Sequence, residues 1–427
     1  MVALLACNDG KRTEPEPDGS PSAPLGPAML VVELPAGVKM SVDGGEPRAM
    51  PVEPSEVAPG QHTLTLVTAC QQLEVRIEAR AGRTTRVDRE RAKGLRFATL
   101  EVTARGLDGE ALTHTVAIGD TVVGTGEGRT KITVPACKHR VKVASAGLGG
   151  FIEDVDFGEE KAVRREIMLA PGPDMVRIQG GAFTLGPPAS SSRTLGRWDL
   201  QFPQKDVVFA TFDMDKTEVT AAQFHECRVS GRCSWDVGIV GWPKFPPEHE
   251  QRFCTTELDY GSRKPVEGRE DHPMNCISYK EAEMYCTAVG KRLPTATEWE
   301  YAARSMNSEY YCPWAPPEDV SVDNPICKRG REPTLETHRV CTYSDESTAQ
   351  GLCDMASNVT ELVTDEHIIW KLERDVPTRG GCNQDPGITM FDKPLPFNRR
   401  SVYAPETKDQ DARVGFRCVR DVSLAGS

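Results

Sequence analysis

Nowhere does this 427-residue chain carry an apolar run near the ~18 to 20 residues that a membrane-crossing helix needs, so any attachment to a bilayer would be through lipid. A basic excess is missing too. The balance is 63 acidic residues against 51 basic ones, a net charge of −12, with no Lys/Arg block able to neutralise a phosphate backbone. Nucleic acid is therefore not an expected partner, and the acidic surplus reads as solubility. Zinc spacing is absent from the fourteen cysteines: they form no repeated C-x-x-C pairs, and none has a His three to five residues further on. Cysteine is nevertheless abundant, with eleven of the fourteen between Cys227 and Cys418. Disulfides are the better reading, and they call for an oxidising compartment outside the cytoplasm.

The first residues, "MVALLACNDG", bear on location. Leu4-Leu5-Ala6-Cys7 resembles a bacterial lipobox, in which a small residue precedes a cysteine that is acylated after signal cleavage. The apolar run before Cys7 is shorter than the ~7 to 15 residues of a signal h-region. Either the natural start lies upstream or the match is fortuitous. The reading adopted is a truncated lipoprotein signal with lipid on Cys7, which makes the protein extracytoplasmic and anchored in a bacterial cell envelope. Residues 8–28 are rich in Pro, Gly and Ser and nearly devoid of large apolar groups, as suits an extended tether.

From Met29 the pattern becomes short alternating runs such as "HTLTLVTA" and "LEVRIEA", with turns at Asp43-Gly44 and Pro59-Gly60. Period-two alternation with β-branched residues predicts a small antiparallel sandwich over 29–92. A second set covers 93–170, and "TVPACKHRVKVASA" repeats the turn-then-strand rhythm of "VAPGQHTLTLVTA". The first module, with "LPAGVKMSVDGGEP", resembles PEGA modules, which implies spacing or envelope contact and no chemistry.

Beyond residue 171 the texture changes. Three capping boxes predict helix starts, at Thr220-x-x-Gln223, Ser278-x-x-Glu281 and Thr295-x-x-Glu298. Tyr279, Ala282, Tyr285, Cys286 and Val289 form an apolar stripe at helical spacing, and Gly290 stops that helix. The long irregular stretches 234–274 and 305–352 need disulfides or a bound ion to hold them. One loop, "TRGGCNQDPGITM" over 378–390, places Cys382 directly after two glycines, where a thiol can be exposed and reactive, a metal ligand, or half of a disulfide.

Six segments occur in the order and spacing of one family: "MVRIQGGAFTLG" (175–186), "FDMDKTEVTAAQF" (212–224), "HPMNCISYKEAEMYCTAVGKRLPTATEWEYAAR" (272–304), "GLCDMASNVTEL" (351–362), "RGGC" (379–382) and "GFRCVR" (415–420). Together they resemble the formylglycine-generating enzyme (sulfatase-modifying factor) family. The resemblance implies an α+β, C-type-lectin-like fold over 171–427, preceded by the two all-β modules. The family's enzyme oxidises a substrate cysteine with copper(I) held by two thiolates, three and eight positions beyond the serine of an "RGGS" motif. Here the serine position is Cys382 and the two thiolate positions are Asp385 and Met390. A carboxylate is a hard ligand and a thioether carries no anionic charge, so copper is not expected. The family's sulfoxide synthases use iron on a His-rich helical domain, and the eight histidines here contain no H-x-x-x-H pair.

The resemblance also implies a disulfide between Cys286 and Cys418. Cys227 and Cys233 are expected to pair with each other or with Cys254 and Cys276. Cys353 and Cys382, which both replace other residues of the family pattern, are expected to form a private disulfide, with a reactive Cys382 thiol as the alternative. The family's calcium loop, "N-x-x-G-N-x-x-E", falls on Asp354, Ser357, Val359 and Glu361 here, oxygen donors that suit a hard cation. Otherwise Asp354 caps a turn and Glu361 faces solvent. Thr360 and Leu362 stand where the family has tryptophans, a loss expected to loosen the loop. The functional expectation is a non-catalytic, lipid-tethered domain whose loops bind an envelope protein or glycan. The rival is an oxidase of the same family with an altered site acting on protein or small-molecule thiols. A third reading is an accessory role beside a membrane kinase or secretion machine.

Overall fold

Successive side chains of a strand point to opposite faces, so "FATLEVTAR" at Phe97–Arg105 buries Ala98, Leu100, Val102 and Ala104 and turns the residues between them outward. The same alternation in Gly60–Val67 buries Leu64 and Leu66. The structure, a computed structural model, describes residues 26–158, 162–186, 204–234, 246, 248–259, 261–310, 336–344, 347–355, 357–364, 376–379, 400–402 and 410–422. The chain divides into two compact units, Met1–Arg96 and Phe97–Ser427.

In the first unit, the strands in spatial order are Ser55–Val57, Ala28–Val32 and Thr84–Val87 in one sheet, and Arg48–Ala49, Lys39–Val42, Gly60–Val67 and Gln72–Ala79 in the other. Counted along the chain, that is 4-1-7 and 3-2-5-6. The second unit begins with the same plan. Arg129–Pro135, Phe97–Arg105 and Ala162–Met168 form its 4-1-7 sheet, and Thr121–Glu127, Thr113–Ile118, Lys138–Ala144 and Phe151–Asp156 its 3-2-5-6 sheet. The sequence rhythm shared by the two stretches thus corresponds to a shared strand order. The expectation of purely antiparallel modules is corrected. In both, the first strand pairs in parallel with the last, Met29 opposite Thr84 and Thr99 opposite Ala162, because the chain crosses through the other sheet before returning.

The sheet of the second module continues past the boundary read from sequence between 170 and 171. Its strand Phe151–Asp156 pairs in parallel with Met175–Ile178, and the sheet continues through Phe212–Asp215 to Val419–Asp421. Charged groups tie these strands to one another and to Ala162–Met168 of the other sheet. Arg165 donates to Glu153 at 2.7 and 3.0 Å, Arg177 to Asp213 at 2.9 Å, and Arg420 to Asp213 at 3.1 Å. The Arg177 guanidinium also lies 4.7 Å from the centroid of Phe151.

All three capping boxes form, each with its hydroxyl accepting from the N3 amide and the N3 side chain returning to the cap amide. They start the helices Ala221–Val229, Tyr279–Ala288 and Ala296–Ala303. Gly290 lies just beyond the second with φ of +69°, a left-handed turn that glycine takes without strain. Phe224, Tyr285, Cys286 and Phe416 pack in one core, and Trp299 with Met214 and Val419 in a second.

Candidate functional site: a buried carboxylate cluster

The strand Thr360–Leu362 runs parallel to Val414–Gly415, with Glu361 opposite Gly415, and this pairing brings the side chain of Arg417 against that of Glu361. Both are fully buried. Arg417 Nε donates to Glu361 at 2.9 and 2.8 Å, and Nη2 at 2.6 Å. The remaining guanidinium donors reach the carbonyls of Asp215 (3.1 Å), Lys216 (3.2 Å) and Cys353 (2.8 Å). Trp299 Nε1 completes the carboxylate at 2.7 Å. A planar, five-donor fork is what such bidentate recognition uses. Burial alone would lower the Arg417 pKa, but the charge and hydrogen bonds of Glu361, with the charges of Glu218 and Asp354, outweigh it and push it up. Beside this pair, Lys291 Nζ lies 2.6 Å from Asp215 Oδ1, and Cys418 N donates to Asp215 Oδ2 at 2.9 Å.

A second pair of carboxylates shares the pocket. Asp354 Oδ2 accepts from Cys341 N at 2.6 Å, and Asn358 exchanges hydrogen bonds with the backbone of His338 at 3.0 and 3.2 Å. Cys341, Asp354 and Asn358 all hold positive φ, at 57°, 59° and 64°, a region that Asp and Asn tolerate better than most side chains. Glu218 arrives from the turn between the strand Phe212–Asp215 and the Thr220 cap. It is fully buried, and neither of its carboxylate oxygens accepts a hydrogen bond from a protein donor. Its side chain is within hydrogen-bonding reach of Asp354. Burial, and then the charge of Asp354, raise the Glu218 pKa well above the usual carboxylate range. Burial raises that of Asp354 as well.

The residues singled out from sequence fall unevenly on this arrangement. Asp354 caps its loop and faces the pocket. Glu361 does not face solvent, and it is not available to a cation. Each of its oxygens already accepts two hydrogen bonds, from Arg417 and Trp299, which fills its lone-pair sites. The four-residue ligand set at Asp354, Ser357, Val359 and Glu361 therefore does not fit calcium through Glu361. Among the described residues, no three His, Cys, Asp or Glu side chains are arranged to hold a metal. Thr360 and Leu362, at the tryptophan positions, are both buried, and Leu362 packs in the core around Cys286.

The disulfides of the family domain include Cys227–Cys233, Cys254–Cys276, Cys286–Cys418 and Cys341–Cys353. The last corrects the expected Cys353–Cys382 bond. Cys353 N donates to Lys216 O at 2.8 Å and Cys341 N to Asp354, which folds the intervening loop back so that the two Cα atoms stand 5.2 Å apart. Cys382, Asp385, Met390 and Cys7 lie outside the described residues. Sequence reasoning passed over Glu218, Asp215 and Lys291 as site residues. The available signal was "DMDKTEV", three acids packed between a buried strand and a capped helix, where little water can reach them.

Comparison with known proteins bears on the same residues. A sulfatase-modifying factor enzyme 1-like domain matches residues 161–422. The formylglycine-generating enzyme of Bos taurus is 29% identical over 292 residues, covering 59% of this chain and 76% of that protein. The formylglycine-generating enzyme of Streptomyces coelicolor is 29% identical over 295 residues, 58% of this chain and 90% of that protein. The inactive C-alpha-formylglycine-generating enzyme 2 of Mus musculus is 25% identical over 170 residues, 35% of this chain and 54% of that protein.

Proposed function

The chain belongs to the sulfatase-modifying factor family, and from that premise we propose that it keeps the family framework without the family's copper chemistry, as an extracytoplasmic, lipid-anchored protein that binds an envelope protein or glycan. The observation that carries the reading is the donor set: Asp385 and Met390 occupy the positions at which the converting enzyme has its two thiolates. Copper(I) needs soft anionic sulfur, and neither side chain supplies it. The relatives include both a formylglycine-generating enzyme and an inactive one, so family membership leaves the chemistry to be decided by these positions.

Disulfides fit a protein that matures outside a reducing cytosol, and the Leu4-to-Cys7 sequence supports lipid attachment. A scaffold pinned by disulfides and buried ion pairs leaves its surface loops to vary for ligand contact. Titrating the purified protein with copper(I) against a cuprous chelator, alongside a count of free thiols, tests the reading. No copper should be withdrawn from the chelator. Stoichiometric uptake together with a free, reactive Cys382 would instead support the second reading, an oxidase with an altered site.

A further inference from the structure

Among the described residues, one sheet of the first module ends at Gln72–Ala79, an eight-residue strand paired only with Gly60–Val67. An edge of that length presents a row of unpaired backbone groups, a template for another strand. The second module, built on the same strand order, has the equivalent edge in use. There Phe151–Asp156 takes Met175–Ile178 as a further strand, with Ile152 opposite Val176. Along Gln72–Ala79, the side chains of Gln72, Glu74, Arg76 and Glu78 are exposed, whereas Leu73 and Val75 are half-buried and Ile77 is buried. Glu78 pairs with Arg80 at 3.2 Å, but Glu74 and Arg76 make no ion pair among the described residues. Their cross-strand neighbours are Thr65 and Thr63, and two residues along one strand face set them about 7 Å apart.

We propose that Gln72–Ala79 is a dimerisation edge, through which two copies of this chain pair antiparallel about a two-fold axis at Val75. Two four-stranded sheets then become one. In that register each Glu74 stands opposite the partner's Arg76 and each Arg76 opposite the partner's Glu74, so both unpaired charges are matched twice over. Opposite charges directly across an antiparallel pair attract, and like charges repel. On the inner face Leu73 meets the partner's Ile77, and Val75 meets the partner's Val75, which continues the apolar layer. Neighbouring registers are worse. An axis at Arg76 sets that residue against the partner's Arg76 and Glu74 against the partner's Glu78, and an axis at Glu74 sets two glutamates together. A slip of one residue turns the partner's apolar side chains to the opposite face. Charge on an edge strand commonly keeps copies apart, but here its sign alternates and the edge is complementary to itself. A two-fold axis uses the same patch on both copies and closes the assembly at two.

Sedimentation velocity of the full-length protein over a concentration series tests the proposal. Wild type should show a concentration-dependent dimer that salt weakens. Glu74→Arg and Arg76→Glu should each raise the dimer Kd by about tenfold or more, since each sets like charges opposite one another twice. An equimolar mixture of the two variants should dimerise again, and so should the double variant E74R/R76E. Both positions are exposed, so the circular dichroism spectrum of each variant should match wild type, which separates lost pairing from lost folding. A wild type that is monomeric at every concentration overturns the proposal and leaves the edge to a strand of another protein. Single variants that dimerise as wild type does, or a folded double variant that stays monomeric, overturn it as well.

Discussion

Arg417 is the residue on which the interior of the C-terminal half converges, joining Glu361, Asp215, Lys216 and Cys353. Replacing it with methionine leaves Glu361 buried with only Trp299 as donor, and removing one partner of a buried pair costs about 3 to 5 kcal/mol. Denaturant unfolding of Arg417→Met should show a loss of that size, and a loss well below it would mean that water reaches the pocket. In the first unit, His62 Nδ1 lies 2.6 Å from Asp43 Oδ2 and Nε2 2.6 Å from Ala58 O. The hydrogen bond to Asp43, then that to the Ala58 carbonyl, raises the imidazole pKa. A folded pKa above the unfolded ~6.5 gives a contribution fully present below that value and lost as pH rises through the folded one. The denaturation midpoint of the first unit should therefore fall over that interval in wild type and stay flat in His62→Gln. Equal slopes would contradict the assignment. Arg417 was legible as part of "GFRC", but its partner was not, because a motif read along the chain does not say which carboxylate a strand pairing will bring opposite. Glu218 was invisible for the same reason.

At the scale of elements, the helices were the most legible feature. A capping box is a contact between residues three apart, so its geometry is written locally, and Ser278, Thr295 and Thr220 each start a helix as expected. Ser278→Ala removes an oxygen that accepts from Glu281 N at 3.3 Å and donates to its carboxylate at 2.8 Å, both buried. The expected cost is about 1 to 2 kcal/mol, measured as a lowered unfolding midpoint. A change of a few tenths would show that tertiary packing alone holds the helix. Strand alternation was equally clear in "FATLEVTAR", yet it did not reveal the parallel pairing of first and last strands, which depends on contacts some sixty residues apart. The Cys341–Cys353 bond was missed on similar grounds. It is set by where the 341–353 loop folds, against Lys216 and Asp354, and not by which cysteines look unusual in a motif.

At the scale of the whole molecule, a strand plan that occurs twice leads into a sheet that does not stop at the second copy. The Phe151–Ile152 pairing with Met175–Val176 and the Glu153, Arg165, Arg177 and Asp213 charges join the second module to the strands Met175–Ile178 and Phe212–Asp215. A chain beginning at residue 171 would expose the Met175–Ile178 edge and leave Arg177 without Glu153 beside it. Limited proteolysis should degrade that shortened chain much faster than the full one, and equal resistance would mean that the family domain stands alone. The functional claim also belongs to this scale, because it separates an inherited framework from the reaction carried out on it in relatives. Its most direct test is incubation of the full-length protein with a CxPxR peptide, copper(I) and oxygen, followed by mass spectrometry. The peptide cysteine should remain unconverted, and appearance of the aldehyde would contradict the account.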